Sequence, residues 1–208
     1  IPVIAGPTAA GKTAVAVELA LLLNGEILSA DSMQVYRHLS IGTAKPSTSE
    51  LKGMPYHLID HVEPNEQYNL GRFVTEARKC LSDVQSRDKL PIICGGTGLY
   101  IRGLLYGIFS GGEASPAVRA ELDRRLEVDG LGALFYELQQ VDPVSAERYG
   151  ANDRQRILRA LEVYHSTGKP LSSFDNQDFT RPAFPVAVFV LSRPRQELYD
   201  RINARVDA

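Results

Sequence analysis

Gly6-Pro7-Thr8-Ala9-Ala10-Gly11-Lys12-Thr13 is the stretch that decides how this chain folds. It fits G-x-x-x-x-G-K-[ST] throughout. A short apolar run, Ile1 to Ala5, precedes it, and an apolar helical run, Ala14 to Leu23, follows. In such a loop the backbone N–H groups and the helix N-terminus cradle phosphate oxygens, the lysine adds a point charge, and the final hydroxyl reaches Mg²⁺. A Gly-rich turn opening an ordinary helix would not explain the strand, loop and helix together. Gly6, Pro7, Thr8, Ala9, Ala10, Gly11, Lys12 and Thr13 are therefore expected to bind a diphosphate, with Thr13 as the metal contact.

Outward from the loop, 1–112 alternates strand and helix. Glu26–Ser29 reads as a second strand ending at Ala30-Asp31-Ser32, and Phe73–Ser86 as a helix. Leu90–Cys94 is a third strand ending in Gly95-Gly96-Thr97-Gly98, after which Leu99–Leu105 starts another helix. Strands this apolar, separated by helices, predict an α/β fold, a P-loop NTPase-like parallel sheet flanked by helices. Ligands sit at the carboxyl ends of strands in such sheets, so the phosphate loop, Asp31 and Gly95–Gly98 should converge.

Segment 113–182 changes character. Helical patterns cover Ala117–Leu126, Leu131–Gln140, Pro143–Tyr149 and Asp153–Ser166, punctuated at Gly130, Asp142-Pro143, Gly150 and Gly168. They predict a helical insertion domain. Phe184–Leu191 returns to a buried strand and Arg195–Val206 to an amphipathic helix, so 1–112 and 183–208 would form one catalytic core. The chain opens inside a strand and stops inside a helical pattern, so a C-terminal portion is expected beyond it.

Composition narrows the class. With 208 residues, 44% hydrophobic and 23% charged, the chain suits a soluble globular protein. No segment approaches the run of ~20 apolar residues that a membrane span needs. Net charge is −2, and segment 113–182 carries 9 basic and 12 acidic residues. Any RNA contact must then rest on local arginine placement rather than bulk charge. Cys80 and Cys94 lack metal-like spacing, which fits a reduced, cytoplasmic setting. A monomer is expected.

Most phosphate-loop NTPases place an aspartate at the end of a later strand to organise Mg²⁺ and water. Here that strand reads Leu90-Pro91-Ile92-Ile93-Cys94-Gly95-Gly96-Thr97, without a carboxylate. The chain has a diphosphate cradle but poor equipment for nucleotide hydrolysis. Asp31 is the one strand-end carboxylate facing the cradle. Its possible roles are general base, water-mediated Mg²⁺ contact, or simply turn capping. His57 and His61 stand four apart but lack the glutamate and third ligand of a zinc motif.

The ordered motifs GPTAAGKT, SADSMQVY, IGTAKP, GGTGLY and NDRQRILRALEV resemble the tRNA dimethylallyltransferase family across the whole chain. The resemblance implies transfer of a dimethylallyl group from dimethylallyl diphosphate to the exocyclic N6 amine of the adenosine beside the anticodon. The implied partner is a tRNA anticodon stem-loop, and the implied cofactor Mg²⁺. It implies Asp31 as general base, and Thr8 with an arginine of the last helix at the bridging oxygen. By position that arginine is Arg205, with Arg201 one turn earlier as the alternative. It further implies RNA contacts from Asp31, Ser32, Met33, Gln34, Thr97, Arg119, Gln155, Arg156, Ile157, Leu158 and Arg159. Rival readings are an adenylate isopentenyltransferase, a small-molecule kinase of the shikimate-kinase type, and a non-catalytic RNA-binding module.

Overall fold

In the computed structural model, which describes residues 1–108, 115–174 and 180–206, the apolar runs become one five-stranded parallel sheet. The strands are β1 (Pro2–Ala5), β2 (Gly25–Ser29), β3 (Tyr56–His57), β4 (Leu90–Gly95) and β5 (Ala187–Val190), in the order β3-β2-β4-β1-β5. Val3 pairs with Ile93 on one side and Val188 on the other, so β1 lies between β4 and β5. The segment following β1 is therefore flanked by the ends of two strands distant in sequence.

Side-chain alternation then builds two cores. Val3, Leu28 and Ile93 face α3 (Leu70–Ser86) and α4 (Gly98–Tyr106), packing on Phe73, Ala77, Leu81 and Leu104. Their neighbours Ile4, Ile27, Ile92 and Cys94 face the other way, onto Ala16, Val17 and Ala20 of α1 (Lys12–Leu22). A strand residue thus chooses its core by parity alone. A short helix α2 (Thr48–Leu51), closed by a Ser47–Glu50 capping box, leads into β3.

The chain divides into two compact units, Ile1–Ile108 with Phe179–Ala208, and Phe109–Asp178. The second holds α5 (Pro116–Val141), α6 (Pro143–Tyr149), α7 (Arg154–Thr167) and a 3-10 turn at Leu171–Phe174. Gly130, at φ 78°, breaks α5 at the position that separates its two helical patterns. Leu122, Leu134, Leu138, Ile157, Ala160 and Leu161 form this unit's core. Asp142 is buried and caps α6, its carboxylate accepting from the Ser145 and Ser172 backbone N–H groups at 3.0 and 2.9 Å. The last helix, α8 (Arg195–Val206), belongs to the first unit.

The expected buried strand over Phe184–Leu191 needs correction. Only Ala187–Val190 forms the strand, and all four residues are exposed. β5 is the sheet edge and pairs with β1 alone, so its apolar sequence does not report burial. Neither α2 nor the two-residue β3 was expected, because neither is long enough to show a period.

Glu26 of β2 is buried, yet its carboxylate meets the Arg87 guanidinium and the His57 ring, Oε2 lying 2.8 Å from Arg87 Nη2 and 2.7 Å from His57 Nε2. The Arg87 hydrogen bond, outweighing burial, brings the Glu26 pKa down to about 2. A depressed carboxylate contributes stability that is complete above its unfolded value near 4.5 and disappears as pH falls towards 2. Glu26→Gln should therefore lower the urea midpoint at pH 6. Between pH 4.5 and 2 its gap from the parent should close by at least about half. A gap constant with pH would show that ionisation of Glu26 does not stabilise the fold.

Candidate active site

The loop after β1 turns on left-handed backbone. Gly6, Ala9 and Gly11 have φ of 147°, 64° and 95°, the kind of backbone from which a loop at a helix N-terminus forms an anion-binding concavity, while the Ala10 N–H is spent on Pro7 O at 3.3 Å. Gly6 has a second duty. A Cβ there would stand 2.5 Å from the Leu191 carbonyl oxygen, so strand and loop pack backbone to backbone. Lys12 Nζ donates to Pro7 O at 2.8 Å, curling the side chain over the loop. Burial lowers the Lys12 pKa, partly countered by Cys94 and Asp31 nearby. Thr8 is exposed on the loop.

Thr13 opens α1, and beneath it lies a residue with no sequence signal. Tyr56 of β3 lies close to Thr13 and the Cys94 thiol, with its own pKa pushed up by burial. The buried Cys94 thiol is pushed up to about 11 for the same reason, so it sits there as a neutral packing group.

The ends of β2 and β4 meet beside the loop. Gly95 permits this, since a Cβ would stand 2.2 Å from Ala30 O. Thr97 ties the two ends together: its N–H donates to Ala30 O at 3.2 Å, and its Oγ1 accepts from Ser32 N at 3.0 Å. Asp31 Oδ1 accepts from the backbone N–H groups of Met33 (2.9 Å) and Gln34 (3.2 Å), an Asx turn that does not use Oδ2. Asp31 thus caps the turn through Oδ1, and its charge also lies near Lys12. Gln34 Nε2 donates to Thr43 O and Ala44 O at 3.1 and 3.0 Å, binding the IGTAKP loop to the Asp31 turn. Lys45 completes that tie by donating to Tyr36 O and to Asp60 Oδ1 at 2.6 Å. Met33, by contrast, is half exposed.

From the other end of the chain, Arg201 of α8 reaches the loop, its Nε donating to Ala9 O at 2.8 Å. Arg193, which precedes α8, does likewise to Ala10 O at 3.0 Å. Sequence reasoning missed Arg193, and nothing in its local pattern marks it. The Arg205 side chain lies outside the described residues.

In the second unit, Asp153 caps α7 and pairs with Arg156 at 3.1 Å. Gln155 and Arg156 are exposed. Arg119 and Arg159 both reach the Glu162 carboxylate, at 2.9 and 3.1 Å. Ile157 has no exposed surface, so its place among the RNA-contact residues is corrected: helical period puts its side chain in the core with Leu161. Leu158 is half-buried against the same core. His57 and His61 face separate carboxylates, Glu26 and Glu76, and share no site. Among the described residues no three His, Cys, Asp or Glu side chains gather to hold a metal, and no helix is long and apolar enough to cross a membrane.

With that geometry in place, the resemblances are specific. The pattern of the IPP transferase family matches residues 34–208, and that of the isopentenyl transferase family residues 1–65. The whole chain is 49% identical to a tRNA dimethylallyltransferase of Syntrophobacter fumaroxidans, spanning 61% of that protein's length. It is 44% identical to one from Caldanaerobacter subterraneus, spanning 67% of it. Among solved structures, a eukaryotic dimethylallyltransferase acting on tRNA superposes with a TM-score of 0.85 at 33% identity, over 100% of this chain and 52% of that one. The full-length tRNA isopentenylpyrophosphate transferase of Bacillus halodurans gives 0.65 at 38%, over 99% and 64%. This chain therefore belongs to the tRNA dimethylallyltransferase family, and it spans between about half and two thirds of the length of these members.

Proposed function

We propose that the full-length protein transfers a dimethylallyl group from dimethylallyl diphosphate to the N6 amine of the adenosine adjacent to a tRNA anticodon, in the cytoplasm. The observation that carries this reading is Asp31 turned in beside a phosphate loop whose next strand ends in Gly95-Gly96-Thr97 instead of a hydrolytic aspartate. Loop N–H groups and Lys12 hold the diphosphate. As the allylic C–O bond breaks, charge grows on the departing oxygen, and these fixed donors stabilise it without reorganisation. The candidate donors for the bridging oxygen are Thr8 and an arginine of α8, Arg205 or else Arg201, whose Nε already meets the loop at Ala9 O.

The adenine amine is a poor nucleophile because its lone pair is delocalised into the ring. Asp31 Oδ2 accepts its proton as the N–C bond forms. The base must be flipped out of its stack to reach that oxygen. Ser32, Met33, Gln34 and Thr97 frame the entry. Gln34 acts through its backbone and carboxamide oxygen, since its amide nitrogen holds the IGTAKP loop. Arg119, Gln155, Arg156 and Arg159 are the RNA contacts proposed on the helical unit.

Mg²⁺ fits this site. A diphosphate-bound Mg²⁺ needs only one or two protein groups, and Thr13 offers a hydroxyl in the first turn of α1, directly after Lys12. Bound there with the diphosphate, the ion would neutralise charge on the leaving group.

The reading is tested by mass spectrometry of an unmodified anticodon stem-loop incubated with full-length protein, Mg²⁺ and dimethylallyl diphosphate. Gain of one dimethylallyl group on the adenosine beside the anticodon supports it. Product with AMP alone, or phosphoryl transfer from ATP, replaces it with a rival. Asp31→Asn should slow single-turnover transfer by about 10²–10⁴-fold while changing stem-loop affinity little. Turnover near that of the parent would remove Asp31 as the base. Lys12→Ala should weaken dimethylallyl diphosphate binding by about tenfold or more in calorimetry, and unchanged binding would contradict the cradle assignment.

A further inference from the structure

Arg193 lies on no motif, yet it touches the phosphate loop from a segment more than 180 residues away. Its Nε donates to Ala10 O at 3.0 Å, its Nη1 meets Glu197 Oε1 at 2.6 Å, and its Nη2 lies 3.6 Å from where a Cβ on Gly11 would stand. The guanidinium therefore bridges the Ala10 carbonyl and a carboxylate in the first turn of α8, with Gly11 alongside. Its backbone is equally constrained. Pro194 follows it, restricting Arg193 to extended conformations, and Leu191 two residues earlier donates its N–H to Ala5 O at 2.8 Å. Arg193 is held from both ends.

The peptide geometry says what this contact does. A trans peptide is planar, so its C=O and N–H point in opposite directions. Fixing Ala10 O outward on Arg193 fixes the Gly11 N–H inward, towards the concavity. The Gly11 backbone has φ 95°, and a glycine gives such a peptide little intrinsic resistance to flipping. The neighbouring Ala9–Ala10 peptide is treated alike by Arg201, but its N–H is engaged with Pro7 O at 3.3 Å. The Gly11 donor is thus the one whose direction depends on Arg193.

We propose that Arg193 is a positioning residue for the diphosphate: by clamping the Ala10 carbonyl it pre-orients the Gly11 N–H towards the leaving group. This rests on the function proposed above. It assigns Arg193 no contact with substrate, and it places the effect on the diphosphate alone.

The test uses full-length protein with inorganic diphosphate and Mg²⁺ in titration calorimetry, then steady-state kinetics with dimethylallyl diphosphate and the stem-loop. Arg193→Met should weaken diphosphate binding, and raise the KM for dimethylallyl diphosphate, by about tenfold, the scale of one charge-assisted hydrogen bond. The KM for the stem-loop should stay unchanged. Arg193→Lys, which keeps the charge without the planar fork, should still lose at least about threefold, and it carries the test if the methionine variant fails to fold. Parent protein that binds no diphosphate would sink the proposed function. Parent protein that binds while both variants bind equally well would overturn the role of Arg193 alone. Equal losses for diphosphate and stem-loop would reduce Arg193 to general structural support and overturn it too.

Discussion

Two backbone-to-backbone contacts set the geometry on which the first unit depends: Gly6 against the Leu191 carbonyl and Gly95 against the Ala30 carbonyl. Each joins the carboxyl ends of strands far apart in the chain, and each leaves no room for a Cβ. Strand order does the rest. Because β1 lies between β4 and β5, its loop is bordered by Gly95–Thr97 on one side and Leu191–Arg193 on the other. Moving β1 to an edge would leave the loop intact as sequence and remove half of its walls.

Within those walls the electrostatics oppose one another by design of position. Lys12 loses proton affinity through burial but stays near Asp31, which favours its charged form. A dianionic or trianionic leaving group entering the loop would compete with Asp31 for that lysine. The Asx turn limits the competition, because two backbone N–H groups already hold Asp31 Oδ1 in place. Gly96 lies beside that lysine: a Cβ there would sit 3.5 Å from Lys12 Nζ, in ordinary contact. A carboxylate at that strand end, as in hydrolytic relatives of the loop, would compete for the same lysine.

Legibility followed periodicity. Both α6 and α8 run over the residues that their apolar spacing marks, because a turn or more of regular pattern with Pro or Gly punctuation leaves little freedom. The β1–loop–α1 unit was legible for a different reason, a fixed motif with backbone requirements. Edge position was not legible: Ala187–Val190 is as apolar as a central strand and is exposed. Nor was parity within a motif. Ile157 sits between Arg156 and Arg159 in sequence, yet the helix turns it into the core. Tyr56, Gln34, Lys45 and Arg193 act through contacts 9 to 183 residues distant, which no local pattern encodes.

The helical unit poses the opposite problem: 113–182 is net acidic, so the arginines proposed to meet RNA must act locally. Glu162 resolves much of this. It is 7% exposed and receives both Arg119 and Arg159, so burial, which would raise its pKa, is outweighed by their hydrogen bonds, which lower it. An arginine held on a buried carboxylate loses rotamer freedom before any ligand arrives. For the RNA contact proposed above, such pre-set geometry would favour recognition of a single-stranded loop by shape, where a few oriented donors matter more than net charge.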